Sequence, residues 1–287
     1  MLRPPIWAKY DSEKTDERTN MVTESFPVML TFDIDGETLW LNRDCENESR
    51  PVVMSLGSYG PKIGVRKIRD LLDEFAVRAT FFVPGWIAER YPQMVAELDR
   101  DGHEVAHHGY LHEWLDGKSK LEEEEILKRG IDAIAQVLGK SPVGYRAPAW
   151  RLTVNSYDLL LDHGFKYGSN MMDADGPYIV RSGDKRQLVE LPVSWSLDDS
   201  SLYLYDLQLP NPKLTSNEEV LSIWCGEFDG LYKDGSGCVL TVHPQLTGRS
   251  YRLQALRRFI EHARSRPRVR FMRCEDVAAA MIKGESL

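Results

Sequence analysis

Four short stretches of the chain carry the side chains able to do chemistry. TFDIDG at 31–36 sets Asp33 and Asp35 two residues apart, so a continuing strand places both carboxylates on one face. Carboxylates that close repel one another unless a cation or a shared proton intervenes. HEVAHHGYLHE at 103–113 gathers four of the chain's seven histidines, with His103 and His107, and His108 and His112, at four-residue spacing. On a helix that spacing would turn each pair to one face, as zinc requires, but Gly109 and Tyr110 after EVA favour a loop leaving a strand. A four-histidine cluster beside a D-x-D pair points to a metal. LTVHP at 240–244 ends a strand in His243, held extended by Pro244, and histidine is the side chain suited to proton transfer near neutral pH. RAPAW at 146–150 adds Arg146, able to grip a carboxylate in a bidentate manner, and Trp150. Each motif alone has a plainer explanation: turn chemistry, a hydrogen-bonded strand-end histidine, a surface ion pair. Their coincidence at strand ends is what carries weight.

Such residues need a scaffold, and the hydrophobic pattern supplies one. PVMLTF at 27–32 is an apolar run of strand length, and a loop rich in Asn, Ser and Gly is expected after it. Val65, Ile68, Leu71, Leu72 and Phe75 then recur at helical spacing, and ATFFV at 79–83 returns to strand character. Pro92 opens a short helix through Met94, Val95 and Leu98 that closes near Gly102, and HEVA at 103–106 is the next strand. A helix over about 120–138 follows, with Ser119 and Glu122 in capping-box spacing. Its EEEE run at 122–125 reads as a solvated first turn favoured by the macrodipole. VGYRAP at 143–148, a helix over about 154–162 ending at Gly164, LVELPV at 188–193, GCVLTV at 237–242 and VRFM at 269–272 continue the alternation. Repeated βα units predict an α/β fold with a parallel sheet flanked by helices, barrel-like or open. Residues 194–236 read as an aromatic, loop-rich insertion over the active face. Trp195, Tyr203, Tyr205, Trp224, Phe228 and Tyr232 there could roof a pocket, or equally belong to a core or a subunit interface. Residues 1–26 read as a polar tail or arm laid on a neighbour, and 27–287 as one catalytic domain.

Composition narrows the classes of function. The chain has 287 residues, 42% hydrophobic and 28% charged, which is ordinary for a globular protein and excludes collagenous, coiled-coil and wholly disordered readings. A net charge of −8 disfavours polyanionic partners. One stretch runs the other way: 249–273 holds nine arginines against the single acid Glu261. There Arg257, Arg258 and Arg264 read as the outer face of a helix that turns Leu256, Phe259 and Ile260 inward, so nucleic acid is not the expected partner. Cys45, Cys225, Cys238 and Cys274 form no CxxC pair, so reduced thiols are expected. No stretch has the length and apolarity of a signal h-region or a membrane span, so a cytoplasmic protein without a membrane partner is expected.

Taken together and in order, the motifs resemble the polysaccharide deacetylase family, the NodB-type carbohydrate esterases. They are closer to its intracellular branch of peptidoglycan deacetylase-like, cyclic-imide hydrolase and allantoinase-like proteins. The resemblance runs from about Pro27 to Val277. It implies a distorted (β/α) barrel with fewer than eight strands and hydrolysis of a non-peptide amide C–N bond in an amino sugar or small molecule. By resemblance, Asp33 is the catalytic base, and Asp35, His108 and His112 are ligands of a divalent metal, zinc first, with cobalt or manganese also suited. Arg146 orients the base, with Pro148 and Trp150 lining the groove. Asp198, with Asp199 as the alternative, tunes the catalytic His243, and Leu240 lines an acyl pocket. The family's adjacent aspartate pair is here split as Asp33-Ile34-Asp35, and Gly109 follows the first histidine ligand in place of Ser or Thr. The resemblance also implies a homo-oligomer, with the N-terminal arm as a contact. A cyclic amide remains the alternative substrate, and a non-catalytic ligand-binding module the rival function. Against the latter stands the separate placement of a base and an acid, which binding alone does not require.

Overall fold

Strand β1 (Phe26–Asp33) is buried at every position, the mark of a strand covered on both faces at the centre of a parallel sheet. The computed structural model describes residues 25–182, 186–205, 214–285 and 287. The arm expected over 1–26 thus lies, up to residue 24, outside the described residues.

The stretch expected as a loop after β1 is helical. It holds α1 (Thr38–Leu41), a 3-10 turn (Cys45–Ser49), α2 (Pro51–Tyr59) and a π-helical turn (Gly60–Gly64) that runs straight into α3 (Val65–Glu74). Its glycines serve close approach, not turning. A Cβ on Gly64 would lie 2.2 Å from the carbonyl oxygen of Pro244, so only glycine lets this helix lie against the turn after His243.

β2 (Thr80–Val83) follows as expected and, after a short helix not anticipated in the sequence, α4 (Gly85–Arg90), so do α5 (Pro92–Arg100) and β3 (Glu104–His107). So does α6 (Lys120–Leu138), with the Ser119–Glu122 capping box formed and Gly139 closing it in a left-handed conformation. α6 crosses β3 closely because Gly130 has no side chain: a Cβ there would lie 2.1 Å from His107 Nε2 and 2.8 Å from the carbonyl oxygen of Gly109. Gly130→Ala is expected to destabilise the fold by about 1–3 kcal/mol, through overpacking and loss of the His107 hydrogen bond. A thermal melt unchanged from wild type would show that the helix simply shifts outward.

β4 (Gly144–Tyr145), α7 (Ser156–Asp162), β5 (Tyr167–Gly168), β6 (Tyr178–Ser182) and β7 (Arg186–Glu190) form the other flank. β6 pairs antiparallel with β7. Then come α8 (Asp199–Tyr203), α9 (Asn217–Asp234), β8 (Cys238–Val242), α10 (Leu253–Arg264), β9 (Val269–Phe271) and α11 (Cys274–Lys283). The strands make one sheet in the order β6-β7-β5-β4-β3-β2-β1-β8, with β9 also pairing β1. From β7 to β8 the path is parallel throughout, seven strands, fewer than the eight of a regular barrel. An irregular segment supplies the closure: the chain leaves β7 at one end of the path and reaches Asp198, which bridges to Thr241 of β8 at the other. This is the distorted (β/α) barrel that the motif resemblance implies.

The reading of 194–236 as one insertion is corrected. Its second half is the crossover helix α9, opened by a Ser216–Glu219 capping box and closed by Gly235. Trp224 and Phe228 on that helix, with Tyr203 on α8, are wholly buried in the main core, where Phe228 meets Phe26 edge-on. These aromatics are core, whereas Trp195 is nearly half exposed. On α10, Leu256, Phe259 and Ile260 do face inward, while Arg257 pairs with Glu74 of α3.

Candidate metal centre and active site

The C-terminal ends of β1, β3, β4 and β8 converge on one cavity of about 240 Å³, where parallel-barrel sites form. Asp33, Asp35, His108, His112, Trp150, Asp198 and His243 all line it. Arg146 lies directly behind, fully buried.

Asp35 sits at the centre. Its Oδ1 is 3.4 Å from His108 Nε2 and 3.6 Å from His112 Nε2, and accepts no hydrogen bond. Its Oδ2 faces His243 Nε2 at 3.5 Å and Gln245 Nε2 at 3.4 Å. Burial would raise this carboxyl's pKa, but His112, His243 and His108 outweigh it and hold the group ionised well below the usual range. His108 donates from Nδ1 to the carbonyl oxygen of Arg146 at 2.8 Å, which fixes the ring with Nε2 turned toward Asp35. His112 adopts φ +58°, and its pKa is pushed down to about 4, first by burial and then by His108 and His243 against the pull of Asp35. A carboxylate and two imidazoles converging at these spacings fit a divalent ion. Ligand atoms on a tetrahedron with bonds of about 2.0 Å lie about 3.3 Å apart, close to the distances seen. The residues present therefore fit the metal that the motif implies.

Asp33 is held apart from that set. Arg146 Nη1 donates to its Oδ1 at 2.7 Å, while its Oδ2 lies 3.9 Å from His108 Nε2. The guanidinium is fixed on every side: Nη1 on Thr31 Oγ1, Nη2 on Ser169 Oγ, Nε on the Ser169 carbonyl, and its plane over the Phe82 ring at 4.1 Å. A buried cation so fully paired is a rigid clamp for one carboxylate.

His243 takes its orientation from Asp199. Asp199 Oδ1 accepts from His243 Nδ1 at 2.6 Å and from its backbone N–H at 3.0 Å, and Oδ2 accepts from the Thr247 hydroxyl. Asp198 is the N-cap of α8, with Oδ1 turned back onto Ser200 N at 2.6 Å and 3.6 Å from His243 Nδ1. Local helix chemistry thus decides between the two carboxylates. Burial lowers the His243 pKa, but Asp35, Asp199 and Asp198 raise it well above the ordinary histidine value near 6.5.

Trp150 stands against Trp195, ring centroids 4.4 Å apart, and Trp114 and Arg151 complete that wall. Ala149 and Trp150 both have left-handed φ, +52° and +55°, a conformation costing about 1–2 kcal/mol per residue, which aims the indole into the cavity. Two expected lining residues lie elsewhere. Leu240 is fully buried in the main core, since the sheet is covered on both faces, and Pro148 is buried beneath the Ala149–Trp150 turn, beside Gly109. Leu39 and Leu246 supply the apolar wall. His103 and His107 are structural: His103 Nδ1 accepts from Ala79 N, and His107 Nε2 donates to the Leu127 carbonyl. Sequence reasoning missed Gln245, Thr247, Thr31 and Ser169, whose only signal is proximity to a strand end.

Comparison with known proteins places this site in a family. A polysaccharide deacetylase family model matches residues 46–168, which include His108, His112 and Arg146. The peptidoglycan deacetylase of Helicobacter pylori is 30% identical over 282 residues, covering 89% of this chain and 96% of that protein. The chain belongs to the polysaccharide deacetylase family, a family of hydrolases. A crystal structure of a candidate polysaccharide deacetylase from Mycobacterium smegmatis is 40% identical, with TM-score 0.87 over 90% of each chain. An allantoinase structure, 23% identical with TM-score 0.75 over 93% of each chain, shares the fold. Among the described residues no helix is long and apolar enough to cross a membrane.

Proposed function

We propose that the chain is a metal-dependent hydrolase of a non-peptide amide C–N bond, acting on an N-acetylated amino sugar or a small cyclic imide. The observation that carries this reading is the separate support of two proton-transfer groups around one ligand set. Asp33 stands beside His108 with Arg146 behind it, and His243 stands beside Asp35 with Asp199 behind it. A divalent ion on Asp35, His108 and His112, zinc first and cobalt or manganese next, supplies Lewis acidity for a water and a substrate carbonyl. Asp33, gripped at Oδ1, keeps Oδ2 to accept the water proton as the new C–O bond forms. His243, its Nδ1 proton held on Asp199, gives the Nε2 proton to the departing nitrogen as the C–N bond breaks. The products are a carboxylate and an amine, or a ring-opened amide acid. The three indoles around the mouth limit the approach of bulk water.

A cavity of about 240 Å³ holds one small ring, which keeps the cyclic imide alongside the sugar as a substrate. The test is to strip divalent ions with a chelator, reload with zinc, cobalt or manganese, and offer N-acetylglucosamine oligomers and succinimide in parallel. Turnover of at least one by the loaded protein, and of neither by the stripped protein, is expected. Silence of the loaded protein on both overturns the proposal in favour of a binding module.

A further inference from the structure

One buried carboxyl at the cavity orients no reacting group in that scheme, although its charge adds to the field at His243. Asp199 alone orients His243, with its two oxygens taken by His243 and Thr247, and it does not line the cavity. Asp198 does line the cavity, with Ser200, Trp195 and Leu204 on the same wall. It is only 3% exposed, and its hydrogen-bond donor is the backbone N–H of Ser200, on that same wall. Two consecutive buried acids beside one imidazole repel each other, so an N-cap alone does not explain a charged one; serine or asparagine caps a helix as well. Position supplies the explanation. Asp198 and His243 line the same side of the cavity, with Asp198 Oδ1 3.6 Å from His243 Nδ1, so the carboxyl stands on the His243 wall, toward which the departing nitrogen must lie.

We propose that Asp198, with Ser200, is a specificity determinant that accepts a hydrogen bond from the nitrogen half of the substrate. The substrate class is then an amide whose nitrogen side carries a second donor: a hydroxyl beside the amide nitrogen of an amino sugar, or a second ring N–H in a cyclic ureide. This assignment rests on the amide-hydrolase reading for the direction in which the substrate lies. A buried acceptor built for such a donor rejects ligands that lack it.

Paired ligands differing only in that donor provide the test. Hydantoin is compared with succinimide, and N-acetylglucosamine oligomers with their 3-deoxy analogues, in metal-loaded protein. Binding is measured by calorimetry in an Asp33→Asn background, so the result does not depend on turnover, and kcat/KM is measured in the otherwise wild-type chain. In at least one pair the donor-bearing member is expected to bind about 10- to 100-fold more tightly; the pair that shows it identifies the source. Asp198→Ala should bring that ratio to within about 3-fold by weakening the donor-bearing member alone, and Asp198→Asn, which keeps the volume and the Ser200 contact, should reduce it about tenfold. A ratio near one in both pairs overturns the assignment, as does Asp198→Ala weakening both members of a pair equally. Binding preference without turnover keeps the role of Asp198 and overturns the hydrolase reading instead.

Discussion

Asp33→Asn is expected to lower kcat/KM by about 10³-fold, the typical worth of a positioned general base, while the protein keeps its divalent ion. The replacement is close to isosteric. The amide oxygen of the new side chain still accepts from Arg146 Nη1, and its amide nitrogen then occupies the place of Oδ2, where a proton acceptor is needed. The guanidinium does not become an orphaned charge, because Thr31, Ser169 and the Phe82 ring continue to surround it. The convergent ligand set is Asp35, His108 and His112, so metal content measured after gel filtration should match wild type. Turnover within a few-fold of wild type would remove Asp33 from the role of base. Loss of metal together with activity would make it a ligand.

How this site was legible in the sequence follows from where its residues sit. Strand ends in a parallel α/β fold are where polar side chains interrupt apolar runs, so Asp33, Asp35, His108, Arg146 and His243 stood out by contrast with their own strands. Small polar residues near strand ends were harder to see. Thr31 lies within β1 and Ser169 just past the two-residue β5; both are small and polar, and only the folded arrangement shows that they solvate a guanidinium. Leu240, given to the pocket by motif resemblance, lies in the main core, and because β8 is buried at every position its alternation offers no check on which side faces the cavity. The 37–64 stretch looked like a loop because glycine and serine counted as breakers, whereas Gly64 is required by contact with Pro244. α9 was legible in principle: Ser216 and Glu219 carry the same capping signature that located α6 through Ser119 and Glu122. Its aromatic content drew attention to the cavity when Trp224 and Phe228, at i and i+4, were marking a buried helix face.

Asp199→Asn tests the other half of the chemistry, with an expected loss of about 10²- to 10⁴-fold in kcat. Asp199 does two things for His243. As an acceptor it keeps the Nδ1 proton in place, and as a charge it joins Asp35 and Asp198 in raising the imidazolium pKa against burial. An asparagine can turn its amide N–H toward Nδ1; the ring is then neutral, with its one proton on Nε2, and a neutral imidazole is a far weaker acid toward a departing nitrogen. The pH profile separates the two contributions. The competent form of His243 is protonated, so activity persists below its raised pKa and falls as pH rises through it; removing one of the charges that raise it must move the alkaline limb to lower pH. Asp198→Asn gives the contrast, since Asp198 touches Nδ1 only at 3.6 Å and caps α8 instead. Its alkaline limb should move less than that of Asp199→Asn. An alkaline limb left in place by Asp199→Asn would mean that His243 does not act as the general acid, and that the nitrogen leaves with a proton from elsewhere in the cavity.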